Sequence, residues 1–221
     1  MKSQCLGLVG TLVGIVWAQG VWGGAGWFSG GYQVVTGYKP LQEVIQVRGV
    51  TMPVSVSVPT LGGGGGFFLG YVFVGGSGEA YLGGALRGGG GGFRVGYPWR
   101  LGERLLLLPT LSIGGSGYSF ILRGAVEERS FSQAVDTLAG VVPRILSVKG
   151  AQGGLVLAAH YLFKQGGILG LEIGYETAIG GFKDWRAAGV RLTDGPSIAP
   201  QRFFVRLVLG GGSICKGSCT E

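Results

Sequence analysis

Between Ile168 and Gly180 the chain alternates. Leu169, Leu171, Ile173, Tyr175, Thr177 and Ile179 share one parity, and Gly170, Glu172, Gly174, Glu176, Ala178 and Gly180 share the other. A helix would mix the two sets, whereas a strand sends them to opposite faces. The same pattern recurs elsewhere. Phe203, Val205, Leu207 and Leu209 oppose Phe204, Arg206 and Val208; Leu155, Leu157, Ala159, Tyr161 and Phe163 oppose Val156, Ala158, His160, Leu162 and Lys164; Phe93, Val95, Tyr97 and Trp99 oppose Arg94, Gly96, Pro98 and Arg100. Each strand thus has one greasy, aromatic-tipped face and one that is small or charged.

Eight such strands are predicted, over 26–35, 62–74, 79–87, 90–100, 104–121, 152–164, 167–181 and 201–211. The segment "VTMPVSVSVPT" (50–60) also alternates, either as a further strand or as an extension of the second, which leaves a ten-strand count open. Short connections are expected at 75–78, 101–103 and 165–166, and long ones at 36–61, 122–151 and 182–200, with a short helix over Ser130–Val142 stopped by Pro143. The connection at 87–91 is short for its place in this alternation. "GGGGGFFLGY" (62–71) returns as "GGGGGFRVGY" (88–97), so the glycine run belongs to a repeated hairpin unit rather than to a linker. Its glycines are expected near the outer rim, with Phe67, Leu69, Tyr71 and Phe73 facing outward.

Composition turns this pattern into a location. Glycine fills 49 of 221 positions, yet 46 % of the chain is hydrophobic, 13 % is charged and the mean hydropathy is +0.42. A disordered glycine-rich chain would be poor in apolar residues. "MKSQCLGLVGTLVGIVWAQG" has a basic start, an apolar core and a small residue at Ala18, the layout of a signal peptide (1–18) cleaved before Gln19. Later apolar runs are too short for a spanning helix, which needs about 20 residues. The remaining way to cross lipid is a closed barrel that pairs every backbone group. The sequence therefore predicts an all-β fold, an antiparallel transmembrane β-barrel of about eight strands over 19–212, apolar outward and polar or small inward, followed by a cysteine-containing tail (213–221). A soluble lipocalin-like barrel would carry its greasy face inside, against this pattern.

The signal peptide, the Gly-Tyr strand endings (Gly31-Tyr32, Gly70-Tyr71, Gly96-Tyr97, Gly174-Tyr175), "LLLLPTLSIGG" after a tight turn and the final strand "RFFVRLVLGGG" resemble small bacterial outer-membrane β-barrel proteins. These include the OmpA-like and OmpW-like eight-strand group and the barrels common in Bacteroidota. The resemblance covers about residues 24–212 and implies a bacterial outer-membrane location. The chain departs from that group by continuing past the last strand into "GGGSICKGSCTE".

The inward parity carries the candidate chemistry. Glu172, Glu176, Arg206, Arg94, Arg100, His160 and Lys164 are expected inside, as a salt-bridged network that plugs the lumen, because buried charges must pair. Tyr32, Tyr71, Trp99, Tyr161, Phe163, Tyr175 and Trp185 fall near strand ends and are expected as interfacial aromatic belts. Cys215 and Cys219 are spaced for a local disulfide in an oxidising compartment. One histidine and two mature cysteines do not make a metal set, and neither glycine run continues into a phosphate-binding Gly-Lys-Ser/Thr; no cofactor is expected. The formal charge of +7 is scattered, without a nucleic-acid motif. The expected partners are outer-membrane lipid around the wall of a monomer and an extracellular partner at loops 36–61, 122–151 and 182–200. A non-enzymatic structural or surface-interaction role follows; the alternatives are a narrow conduit for small or hydrophobic molecules and a lipid-modifying enzyme built on His160.

Overall fold

The computed structural model describes residues 20–46, 55–122, 145–187 and 190–216. The expected signal peptide, most of the loop read over 122–151, the helix expected over Ser130–Val142, and Cys219 lie outside the described residues. Among the described residues the chain forms β1 (Val21–Thr36), α1 (Lys39–Gln46), β2 (Val56–Gly70), β3 (Val72–Leu82), β4 (Leu86–Gly96), β5 (Trp99–Leu101), β6 (Leu105–Ile121), β7 (Ile145–Leu162), β8 (Gly167–Ala187), β9 (Val190–Arg191) and β10 (Gln201–Lys216).

Eight of these strands are the staves of a closed antiparallel barrel in the order β10-β1-β2-β3-β4-β6-β7-β8, and β8 pairs back to β10. Closure leaves no open edge, the condition for crossing lipid with strands. The other two are short outriggers: β5 pairs with β6 and β9 with β8. The ten-strand count is therefore resolved as eight staves plus two accessories. Val56–Thr60, half of the doubtful alternating segment, is the upper part of β2.

One hairpin is displaced from its sequence reading. "GGSGE" is not a turn; Gly75, Gly76 and Gly78 lie inside β3, opposite Gly66, Gly65 and Gly63. The turn is Gly70-Tyr71, between paired Leu69 and Val72. Gly70 has φ 69°, which suits a two-residue hairpin with glycine first. The run Gly62–Gly66 accordingly lies mid-strand rather than at the rim, and Phe73 changes parity: it is buried inside while Phe67, Leu69 and Tyr71 face out. The very short outer connection is at 83–85, between β3 and β4.

Connections at one end of the barrel are 70–71, 97–104 and 163–166; at the other they are 37–55, 83–85, 122–144 and 188–200. The first long loop contains α1, a helix that the sequence reading did not predict there. Leu41 and Ile45, one turn apart, are buried against the barrel mouth. β10 runs through Lys216, so the segment read as a tail begins as strand, with Cys215 opposite Trp22.

The wall is apolar outside. Leu169, Leu171 and Ile173 of β8 and Phe203, Val205, Leu207 and Leu209 of β10 are exposed, while Glu172, Glu176, Arg202 and Arg206 of the same strands are buried. Apolar outside and charged inside is the inverse of a water-soluble domain and the arrangement lipid selects. No helix among the described residues is long and apolar enough to cross a membrane.

Candidate functional site

The lumen is filled in three layers, and the middle one is ionic. On β8 and β10 the inward charges fall in register: Arg202 opposite Glu176, and Arg206 opposite Glu172. Two further charges reach in from the other side, Glu79 on β3 and Arg94 on β4. Arg94 pairs with Glu172 at 3.0 Å, and Arg206 with Glu79 at 2.8 Å. Arg202 pairs with both Glu79 and Glu176. All six side chains are at most 7 % exposed. Three guanidiniums face three carboxylates, so this buried layer is neutral as a whole, the condition under which burial of charge is tolerable.

Neutral groups complete the coordination. The Tyr81 hydroxyl accepts from Arg202 at 2.6 Å, and the Ser112 hydroxyl donates to Glu176 at 2.7 Å. Phe204 lies between the two arginines of its strand, its ring centroid 3.8 Å from the Arg206 guanidinium carbon and 5.6 Å from that of Arg202, in the cation–π range. Glycine supplies the space. A Cβ at Gly174 would clash with the Phe204 ring, and one at Gly154 would lie 2.6 Å from Glu176 Cγ. A cavity of about 20 Å³ remains beside Glu79, Glu176 and Arg202, room for about one water.

Towards the long loops lies an aromatic cap. Tyr81 stacks on Tyr118 at 5.5 Å, Tyr118 meets Phe182 at 5.9 Å, and Phe120 meets Trp185 at 6.1 Å. Tyr38, Leu41, Ile45 and Ile198 close over them from the loops. Burial pushes the Tyr38 phenol up to about 12. Towards the short turns lies an apolar floor of Trp27, Phe68, Phe73, Leu106, Leu108, Leu162, Ile168 and Val208.

The expected interior residues divide. Glu172, Glu176, Arg206 and Arg94 meet in the ionic layer. His160 is inside, 1 % exposed, next to the floor, with its ring 5.6 Å from that of Trp27. Arg100 keeps the inward parity read through Phe93–Arg100, half-buried opposite buried Leu106, but it stands at the turn end and binds the Ile214 and Glu103 carbonyls at 3.4 and 2.7 Å instead of joining the ionic layer. Lys164 is a correction. Lys164 lies beyond the end of β7, exposed in the 163–166 turn. Cys215 is a free thiol in β10; its expected partner, Cys219, lies outside the described residues.

Of the aromatic set, Tyr32, Tyr71, Trp99, Tyr161, Phe163 and Tyr175 are exposed on the outer wall. Trp185 is not among them: it is 1 % exposed, inside the cap, and donates its indole N–H to the Pro196 carbonyl at 2.6 Å. The cause is a register shift. Between Ile179 and Asp184 the chain inserts extra residues opposite Lys149 and Ala151, including Gly180 and Gly181 at φ 76° and 75°. Parity flips there, turning Trp185 inward and Asp184 outward.

Sequence reasoning missed Glu79, Arg202, Tyr81 and Tyr118. Glu79 was hidden by the false turn. Arg202 had a readable signal: it stands four residues from Arg206, the spacing of Glu172 and Glu176 on the neighbouring strand.

No protein-family model and no curated protein matches the sequence. Solved structures do match in shape. Neisserial surface protein A (NspA) superposes with a TM-score of 0.56 at 8 % identity, over 87 % of this chain and 99 % of that one. Ail, the attachment invasion locus protein of Yersinia pestis, gives 0.42 at 11 % identity over 88 % and 99 %. The outer membrane protease OmpT of Escherichia coli gives 0.38 at 10 % identity over 87 % and 96 %. At 8 % identity the likeness to NspA is one of fold. That fold, the apolar outer wall and the charged interior make this chain a small eight-stranded transmembrane β-barrel of the bacterial outer-membrane type.

Proposed function

We propose that the protein is a non-enzymatic, non-conducting outer-membrane barrel whose loops at the 37–55 and 188–200 end carry a surface-interaction role. The observation behind this reading is the filled lumen: a neutral ionic layer between an aromatic cap and an apolar floor. A solute would have to part the Arg202 contacts to Glu79 and Glu176 and strand buried charges, which is costly. Enzymatic use of His160 is disfavoured by its burial against Trp27. A rigid wall that displays variable loops suits recognition, and NspA, described as a surface protein, has the same fold.

Two measurements test this. Liposomes carrying the folded protein should swell in small sugars no faster than empty ones; faster swelling overturns the closed lumen. Cells displaying the barrel should attach to protein-coated surfaces, and shortening the loops at 37–55 and 188–200 should abolish the gain. Equal attachment with shortened loops contradicts the loop role.

A further inference from the structure

The outer wall of β4, β6 and β7 repeats one motif. Descending from the loop end, the outward residues are Arg87, Gly89, Gly91 and Phe93 on β4; Ser119, Gly117, Gly115 and Ile113 on β6; and Ser147, Lys149, Ala151 and Gly153 on β7. Register sets them side by side. Arg87 lies opposite Ser119, Gly89 opposite Gly117, and Gly91 opposite Gly115. Ser119 in turn faces Ser147, Gly117 faces Lys149, and Gly115 faces Ala151. The polar row continues to Arg186, opposite Ser147, and to Arg191, opposite Arg186.

This row holds four cations (Arg87, Lys149, Arg186 and Arg191) and one carboxylate, Asp184, which lies 3.2 Å from Arg191 and 3.8 Å from Arg186. The Ser119 and Ser147 hydroxyls are 3.0 Å apart between the basic groups. Arg87 is anchored by its Nε donating to the Gly83 carbonyl at 3.2 Å. The row lies at the loop end of the wall, above outward Phe93, Ile113 and Leu155. An excess of positive charge flanked by hydroxyl donors, at the upper limit of an apolar wall, complements the phosphates of a lipid headgroup.

Below the row the wall has almost no side chains. The small-residue floor extends through Gly78, opposite Gly91, to Gly63, opposite Gly78, so it crosses five strands, roughly 20 Å at the usual strand spacing. Packing accounts for only part of it. An added Cβ would come within 2.7 Å of neighbouring backbone at Gly63 and Gly89 and 2.9 Å at Gly91, but would meet nothing nearer than 3.8 Å at Gly78, 3.7 Å at Gly115 and 3.8 Å at Gly117. On β8 and β10 the outward positions carry Leu, Ile, Val, Phe and Tyr instead.

We propose that this face binds a single phosphate-bearing lipid of the outer leaflet, with its headgroup on Arg87, Lys149, Ser119, Ser147 and Arg186 and an acyl chain laid over the glycine floor. The site rests on the barrel lying in a membrane and is independent of what the loops contact. Its test is native mass spectrometry of the full folded chain, released from a phosphate-free detergent, with diphosphorylated lipid A, its dephosphorylated form, or inorganic phosphate. One diphosphorylated lipid should be retained at least tenfold more than the dephosphorylated form, with inorganic phosphate alone not retained. Arg87→Gln with Lys149→Gln should cut retention at least tenfold. Gly115→Leu with Gly117→Leu should also cut it while keeping the heat-modifiable folded band. Equal retention of both lipid forms, retention of inorganic phosphate alone, or no loss in either variant overturns the proposal. So does a dimer broken by the leucine variant, which would assign the face to a second copy of the chain. Flotation with vesicles separates the two claims, because failure to float would refute the membrane reading itself.

Discussion

The two walls of this barrel are built by different rules. The wall of β2, β3, β4 and β6 is glycine-rich on both faces at mid-height, and of the ionic layer it supplies only Glu79 and Arg94. The wall of β8 and β10 carries large apolar side chains outside and supplies Glu172, Glu176, Arg202 and Arg206 inside. Each wall's share of the ionic layer is neutral by itself, and the Arg94–Glu172, Arg202–Glu79 and Arg206–Glu79 pairs join the walls across the lumen. The glycine wall also has two kinds of glycine. Inward ones such as Gly114, where a Cβ would sit 2.6 Å from Gly92 Cα, are fixed by close approach; of the outward ones, Gly63, Gly89 and Gly91 are close-packed too, whereas Gly78, Gly115 and Gly117 have room. The close-packed glycines are explained by packing, and Gly78, Gly115 and Gly117, which have room, call for another reason, such as a lipid.

The largest effect should come from cutting the joint between the walls. Glu79→Ala leaves Arg202 short of one carboxylate and Arg206 without the one at 2.8 Å. Breaking a buried pair costs about 3–5 kcal/mol, read as a lowered urea midpoint in vesicles; an unchanged midpoint would mean the walls are held by backbone pairing alone. The same logic predicts that Arg94→Leu alone is strongly destabilising, whereas Arg94→Leu with Glu172→Leu regains much of the loss, which a double-mutant cycle measures.

Next in size is the contrast between adjacent glycines. Gly114→Ala should cost about 1–3 kcal/mol as an overpacked site. Gly115→Ala, one residue along and on the other face, should stay within about 0.5 kcal/mol. Equal costs would erase the distinction between the two kinds of glycine.

The smallest effect concerns the cap. Tyr38 is buried and its hydroxyl has no hydrogen-bond partner among the described residues, so Tyr38→Phe should change stability by less than about 0.5 kcal/mol at neutral pH. Its phenol titrates at about 12 in the folded protein, above the usual value near 10. The folded state therefore holds this proton more tightly. The resulting stability is present below pH 10 and is lost as pH rises through about 12. Wild type should weaken across that interval more than Tyr38→Phe; identical profiles would place the phenol in water.

How much the sequence disclosed follows from what period-two alternation can see. Where strands run without interruption, as in β8 up to Ile179 and in β10, parity told inside from outside and identified Glu172, Glu176 and Arg206. It failed where parity changes without a sequence mark. The Gly70-Tyr71 turn is hidden among glycines, and moving it there reversed Phe73 and concealed Glu79. The register shift near Gly180 and Gly181 reversed Trp185. Pairing across the lumen was illegible for a different reason: which charges meet depends on barrel closure, and no single strand encodes that. The outward glycine floor likewise appears only when four or five strands are laid in register.

The central claim is that the neutral ionic layer and its apolar neighbours close the lumen. Single-channel recording in planar bilayers tests it most directly. Wild type should give no conductance steps, and Glu79→Ala, if it inserts, should give small or flickering ones as Arg202 and Arg206 lose a shared partner. Stable, ion-selective steps from wild type, unchanged by Glu79→Ala, would contradict the account.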